Sequence, residues 1–160
     1  MIEIREVKKE DLDTLAQIYV AAYQDVNISE NWTPEAAHKL LDYWLMTHPD
    51  LAYLAKYQDN ITGGFFVGVK PWWDGNHLYD GEMFVDPLYQ GNGIGTLLLK
   101  SVFEVAKTKY QVVAWDAATI RNSIHPLQWY KKLGFQELDE LTLITCNVDQ
   151  VLSQLNRAKK

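Results

Sequence analysis

Glu82-Met83-Phe84-Val85-Asp86-Pro87-Leu88-Tyr89-Gln90-Gly91-Asn92-Gly93-Ile94-Gly95 decides how the chain is read, because it carries a strand through a proline turn into a glycine-rich helix start. Glycine removes side chains that would block an approaching ligand, and the first turn of a helix offers free N–H groups at its positive dipole end. Such a segment suits phosphate. A tight strand-to-helix turn that merely uses glycine is the plainer alternative. Two familiar phosphate loops fail on the residues. Ile94-Gly95-Thr96 stands where a P-loop needs Gly-Lys-Ser/Thr, and Thr96 stands where a dinucleotide fingerprint beginning at Gly91 needs its last glycine.

Towards the N-terminus, Ile2 to Val7 alternates like a short strand. Leu12, Leu15, Ala16, Tyr19, Val20 and Tyr23 then recur at the three- and four-residue spacing of an amphipathic helix. Thr33-Pro34-Glu35 supplies an N-cap with proline at the first helical position, and Ala37, Leu40, Leu41, Trp44 and Leu45 make a second apolar stripe closed by His48-Pro49. Leu51 to Gln58 and Ile61 to Val69 are β-rich, and Asp59-Asn60 between them predicts a tight hairpin. A third strand, about Leu78 to Val85, is expected after a loop from Lys70 to His77, completing an antiparallel meander. Beyond the glycines, Ile94, Leu97, Leu98, Val102 and Val105 make one helix face running to about Lys109, and Val112 to Trp115 reads as a buried strand. Pro126 opens another helix, which Gly134 ends at a C-cap position. Phe135 to Thr145 supplies one long or two short strands, and Asn147 caps a last helix carrying Val148, Val151, Leu152 and Leu155. Repeats, low-complexity tracts and linkers are absent from the sequence, so residues 1–160 are expected to form one α/β domain.

Composition narrows the function by exclusion. The 160 residues are 48% hydrophobic and 22% charged. A domain of this size buries roughly 70% of the surface its unfolded chain exposes and needs no metal or disulfide staple. Fifteen Lys and Arg against 21 Asp and Glu leave a net charge of -6, which argues against a nucleic-acid binder and favours cationic or amine partners. With Cys146 as the single cysteine, neither a disulfide framework nor a multi-cysteine zinc site is available. Cys146 sits in an apolar stretch without a histidine nearby in sequence, so a small core residue is expected there rather than a nucleophile. His38 shares a helix face with Asp42, and His48, His77 and His125 lack ligand spacing, so no metal is expected. The charged start differs from a signal peptide, and no run reaches the roughly 20 apolar residues of a membrane span. No membrane association and a cytoplasmic location are the expectation.

Two motifs point further. Gln90, Gly93 and Gly95 fit a Gln/Arg-x-x-Gly-x-Gly/Ala loop after a strand, and Trp129-Tyr130-Lys131-Lys132-Leu133-Gly134-Phe135 fits an aromatic-Tyr-x-Lys-x-Gly-Phe helix ending about 40 residues on. In that order, and with the element succession above, the chain resembles the GNAT family of N-acetyltransferases over essentially its whole length. It departs where the family often has Asn before the fourth helix, since Ser123 occupies that place and Asn122 is one residue early, and in carrying a helix after the last strand. The resemblance implies an α/β (α+β) fold with a central mixed, mostly antiparallel sheet flanked by helices, here with an added C-terminal helix. It also implies acetyl-CoA as acyl donor and no metal. The pyrophosphate would rest on the loop Gln90, Gly91, Asn92, Gly93, Ile94, Gly95 and Thr96, chiefly on its amides. The pantetheine arm would meet the backbone of Met83, Phe84 and Val85, in a splay between the fourth and fifth strands. Tyr130 would give the departing thiolate its proton, and Asn122 or Ser123 would bond the pantetheine or Tyr130, with helix capping by Ser123 as the alternative.

The base is read from the residues. An amine of pKa near 10.4 is neutral in about one molecule in 2,500 at pH 7, so a carboxylate or water chain near the splay is useful. Glu82 is the first candidate and Asp80, two residues earlier on the same strand face, the second; a solvated strand face, another residue or a substrate arriving neutral are the alternatives. Trp32 and Trp72-Trp73-Asp74 fall in loops that shape the acceptor pocket in the family, and aromatics plus acid suit a cationic amine. The same tryptophans would equally cap the core or make a dimer contact, which leaves a homodimer open. The expected reaction is direct attack by a primary amine of a small molecule on acetyl-CoA in a ternary complex. A protein or peptide amine acetyltransferase and a non-catalytic acyl-CoA sensor are the alternatives, and polyamines, aminoglycoside-like antibiotics and amino-acid derivatives all stand as acceptors.

Overall fold

Apolar residues alternating along four neighbouring stretches and recurring at helical spacing in three others build a sheet covered on both faces. The computed structural model describes residues 1–25, 30–121 and 124–157. They divide into two compact units, Met1–Ala117 and Ala118–Lys160.

In the first unit, β1 (Ile2–Glu6), β2 (Ala52–Tyr57), β3 (Asn60–Trp72) and β4 (Gly75–Val85) pair antiparallel in that order. β5 (Val112–Asp116) joins the outer edge of β4 in parallel, a step made possible by the crossover helix α3 (Ile94–Tyr110). Helices α1 (Leu12–Asp25) and α2 (Pro34–Thr47) pack on one face, where Leu12, Leu15, Tyr19, Leu41 and Trp44 share a core with Leu54, Phe66 and Phe84. Phe65 points the other way. Its ring packs on Trp115, which also meets Phe103 of α3, while Leu98 and Val102 of that helix are fully buried. The expected cap at α2 is present, with Thr33 Oγ1 accepting from the Ala36 N–H at 3.2 Å. The mixed, mostly antiparallel sheet flanked by helices is the expected fold.

Two turns differ from expectation. Tyr57 pairs with Asn60, so Gln58 and Asp59 form the hairpin turn, with Gln58 at φ 55°. The displacement follows from a bulge: Ala55 pairs with Gly63 but Lys56 with Ile61, which leaves buried Thr62 as the extra residue, its hydroxyl bonded to the Ala55 carbonyl at 3.2 Å. The expected loop from Lys70 to His77 is ladder instead, pairing Lys70 with His77 and Trp72 with Gly75 around the turn Trp73-Asp74. Its composition looks loop-like, but the Lys70 ammonium lies 4.3 Å from the Trp72 ring centre and supports the paired end. Strand β5 is only partly buried, with Val113 61% exposed, rather than a buried strand.

In the second unit, α4 (Ile124–Lys132) ends as expected at Gly134, which adopts φ 96°. Phe135 N–H bonds the Tyr130 carbonyl at 3.1 Å and Gly134 N–H the Lys131 carbonyl at 3.0 Å, the paired bonds of a Schellman cap. The added helix α5 (Val148–Arg157) begins at Asn147, whose Oδ1 accepts from the Gln150 N–H at 3.0 Å. The expected strand or strands over Phe135 to Thr145 are not formed. Alternation alone does not make a strand, because the backbone groups need a ladder partner, and the described residues of this unit hold no other extended segment. Leu141, Leu143 and Ile144 are accordingly exposed, and so is Cys146, contrary to its expected place in a core.

Candidate functional site

The glycine loop has the geometry of an anion cradle. After β4 a short turn of 3-10 helix, Pro87–Tyr89, is capped by the Asp86 carboxylate, which accepts from Leu88 N–H at 2.9 Å. Gln90 Nε2 then bonds back to the Val85 carbonyl at 3.1 Å, and Asn92 Nδ2 to the carbonyls of Tyr89 and Gln90 at 3.0 and 3.2 Å. Those three side-chain bonds hold the loop shut on itself. Gly91 and Gly93 take φ 77° and 78°, and a Cβ on either would meet no protein atom within 4 Å. Both therefore serve backbone conformation and open space above the start of α3, not close packing. Ile94 is 2% exposed and anchors the helix in the core, so only its amide, with those of Gly95 and Thr96, is offered outward. These residues fit the pyrophosphate of a coenzyme A thioester.

The splay is built by a bulge in β4. Phe66 pairs with Glu82 and Gly68 with Tyr79, so Asp80 and Gly81 together oppose Val67, at φ 50° and 98°. Pairing of β4 with β5 stops at the same place, the last partners being Tyr79 and Asp116. The Asp80 carbonyl accepts instead from the Trp115 indole N–H at 2.9 Å. Beyond it Met83, Phe84 and Val85 pair with β3 on one edge only, leaving their other edge without a strand among the described residues. Phe84 is buried against Tyr19 and Phe66, so it has backbone but no side chain to offer a ligand.

Glu82 lies in a cluster that spacing alone did not assemble. Its Oε2 accepts from the hydroxyls of Tyr19 at 2.9 Å and Tyr23 at 3.0 Å, both on α1. The two phenol rings stack at 4.3 Å, and Trp32 meets Tyr19 edge-on at 5.1 Å. Glu30 accepts from the Trp32 indole N–H at 2.7 Å. Burial pushes Glu82 up to about 7, further raised by the charges of Asp80 and Glu30 and opposed by the two tyrosine bonds. Burial and the Glu82 charge likewise push both tyrosines well above their ordinary range, so they stay neutral donors. Asp80 does not share this face. The bulge interrupts the alternation, Tyr79 takes the position beside Trp44 instead, and Asp80 is exposed.

Other expected positions are dispersed. Trp32 joins the cluster, whereas Trp73 is 87% exposed at the tip of the β3–β4 hairpin and Trp72 lies over Lys70. Asp74 and Asp116 flank His77, with Nε2 and Nδ1 each 2.9 Å from a carboxylate oxygen. In the second unit the Tyr130 ring meets Trp129 at 4.9 Å and Phe135 at 5.0 Å, and burial lifts its hydroxyl to about 12. Asn122 and Ser123 lie outside the described residues. Among the described residues no helix is long and apolar enough to cross a membrane, and no three His, Cys, Asp or Glu side chains cluster as a metal site. Tyr19 and Tyr23 were visible only as part of an apolar helical stripe; their hydroxyls at i and i+4 were the available signal.

Comparison with known proteins adds to this geometry. The sequence model described as the Acetyltransferase (GNAT) family matches residues 12–135. An uncharacterized N-acetyltransferase of Methanocaldococcus jannaschii is 28% identical over 140 residues, 84% of this chain and 60% of that protein. The spermine/spermidine N(1)-acetyltransferase of Bacillus subtilis is 27% identical over 53% of this chain and 59% of its own length. The chain thus spans about 60% of the length of these curated relatives. Among solved structures, a predicted acetyltransferase of Clostridium acetobutylicum with acetyl-CoA superimposes with a TM-score of 0.71 at 21% identity, over 91% of this chain and 96% of that one, which is a likeness of fold.

Proposed function

The chain belongs to the GNAT family of acetyltransferases, and on that premise we propose that it transfers an acetyl group from acetyl-CoA to a primary amine of a small molecule, by direct attack in a ternary complex. The observation that carries the reading is Glu82, a partly buried carboxylate raised to about 7, immediately past the bulge where β4 leaves β5. A group with that pKa is half ionised at neutral pH and accepts a proton without holding it too tightly. Glu82 takes the proton of the acceptor ammonium, directly or through water. Acetyl-CoA supplies the acyl group as a thioester. The amides from Gly91 to Thr96 hold its pyrophosphate at the positive end of α3, and the open edge of Met83 to Val85 offers backbone groups to its arm. Tyr130, a neutral phenol at pH 7, gives a proton to the departing thiolate. The family match runs through the boundary near residue 117, which supports reading the two units as one catalytic domain.

The acceptor is an amine cation. Trp32 and Tyr23, both only half-buried, present ring surface beside two carboxylates, Glu82 and Glu30, a combination that attracts cations and repels anions. The B. subtilis relative, named for spermine and spermidine, makes polyamines the first members of an acceptor panel. The test follows free thiol with acetyl-CoA and that panel. Glu82→Gln is expected to lower kcat/KM by about 10²–10⁴ near pH 7, with acetyl-CoA affinity nearly intact. Tyr130→Phe should depress turnover in the same way. Tight acetyl-CoA binding without amine-dependent thiol release under any condition would identify an acyl-CoA sensor and end the enzyme reading.

A further inference from the structure

Glu82 is held asymmetrically. Both phenol hydroxyls converge on Oε2, at 2.9 and 3.0 Å, while among the described residues Oε1 receives no hydrogen bond. We propose that Tyr19 and Tyr23 are positioning residues for the reaction, clamping Oε2 of Glu82 so that the proton from the amine is accepted on Oε1. The inference rests on Glu82 being the base.

Three features support it. First, an oxygen that accepts from two O–H donors is a poor site for a further proton, so the unclamped oxygen is the one that takes it. Second, the clamp is rigid. Tyr19 is 1% exposed, stacks on Tyr23 at 4.3 Å and meets Phe84 edge-on at 5.2 Å, so its hydroxyl is fixed by the same core that fixes β4. Third, the clamp opposes everything else acting on Glu82. Burial, Asp80 on the same strand and Glu30 ahead of α2 all favour the neutral acid, and the two hydroxyls on α1 are the groups that favour the anion. Without them the base would be protonated at neutral pH. The i, i+4 spacing on a helix is what brings two phenols to one atom.

The experiment compares Tyr19→Phe, Tyr23→Phe and Glu82→Gln in the full chain, since each Phe keeps the ring packing and loses only the hydroxyl. Two readouts are taken: the pH profile of kcat/KM, and direct ¹³C-carboxyl NMR titration of Glu82, assigned by its absence in Glu82→Gln. Each hydroxyl removed is expected to move the Glu82 titration up by about one pH unit, the size of a hydrogen bond to a charged group. The variant-to-wild-type ratio of kcat/KM then falls about tenfold at pH 6 and returns toward a constant plateau above pH 9. A Glu82 titration unmoved by either Phe substitution overturns the clamp. If Glu82→Gln keeps the wild-type acid limb, the base assignment fails instead, while the NMR titration still decides whether the clamp exists. Tyr23→Phe is the safer variant for folding because Tyr23 is the less buried of the pair.

Discussion

Replacing Glu82 by Gln should stabilise the protein at alkaline pH while removing its activity. The carboxyl is displaced from an ordinary 4.5 to about 7, with burial as the leading cause. Since the folded-state value lies above the unfolded one, the folded protein binds the proton more tightly. The associated stability is fully present below pH 4.5 and is lost as pH rises through 7. At about 1.4 kcal/mol per pH unit, the full loss across that window is about 3 kcal/mol. Gln keeps the shape and an oxygen that accepts from both tyrosines, but cannot ionise. Wild type and Glu82→Gln should therefore unfold alike near pH 4.5 and diverge above it, Gln being the more stable by up to about 3 kcal/mol at pH 8 to 9. For a chain of this size that is roughly 6–12 °C in Tm. Urea denaturation at closely spaced pH values, without acetyl-CoA, measures it. Parallel curves from pH 4.5 to 9 would refute the reasoning, because they would mean that Glu82 ionises as easily folded as unfolded.

Two further predictions use other residues. Gly81→Ala and Gly91→Ala both place Ala at positive φ, but a Cβ at Gly81 would lie 2.5 Å from the Phe66 carbonyl oxygen, whereas at Gly91 it meets nothing. Gly91→Ala should cost about 1–2 kcal/mol in urea denaturation and weaken acetyl-CoA binding by calorimetry, while Gly81→Ala costs clearly more; equal losses would sink the close-approach argument. His77, raised above 6.5 by Asp116 first and Asp74 next, contributes stability that is present below pH 6.5 and lost as pH rises through its raised value. His77→Gln should thus destabilise the protein at pH 6, and its deficit should narrow by pH 9; a deficit independent of pH would show that the ring acts by packing alone.

What could be read from the residues divides along a physical line. Periodicity placed α1, α2 and α3 because burial selects apolar residues at a fixed angular spacing, and caps such as Thr33, Gly134 and Asn147 act within a few residues of themselves. The glycine loop was legible for the same reason, since its bonds from Gln90 and Asn92 are local. Glu82 was a candidate through its place before the loop, but its partners were not, because Tyr19 and Tyr23 lie about sixty residues away and look in sequence like core side chains. Failures fell where ladder partners decide. Lys70 to His77 resembles a loop until the opposite strand is seen, and Phe135 to Thr145 resembles a strand until no partner is found for it in its unit.

The parity of β4 explains why Asp80 does not share the face of Glu82. Tyr79 packs with Trp44 beneath α2, and Phe84 with Tyr19 beneath α1, so both face the same helices although five residues separate them. In a strand of strict alternation an odd separation puts two side chains on opposite faces. The extra residue at Asp80-Gly81 changes the parity, and with it Glu82 and Phe84 turn toward α1 while Tyr79 keeps its place. One insertion thus has two consequences: the pairing with β5 ends where a thioester arm would enter, and Tyr79 and Glu82 share a face although three residues separate them. Gly81 was the available warning, since an isolated glycine within a strand pattern marks a bulge or a close backbone approach, and here it marks both. Deleting Gly81 should restore one-to-one pairing, with Asp80 opposite Val67, and leave Glu82 opposite Phe66 on the face of α1. A folded deletion variant whose Glu82 carboxyl no longer titrates near 7 by NMR would disprove this reading of the register.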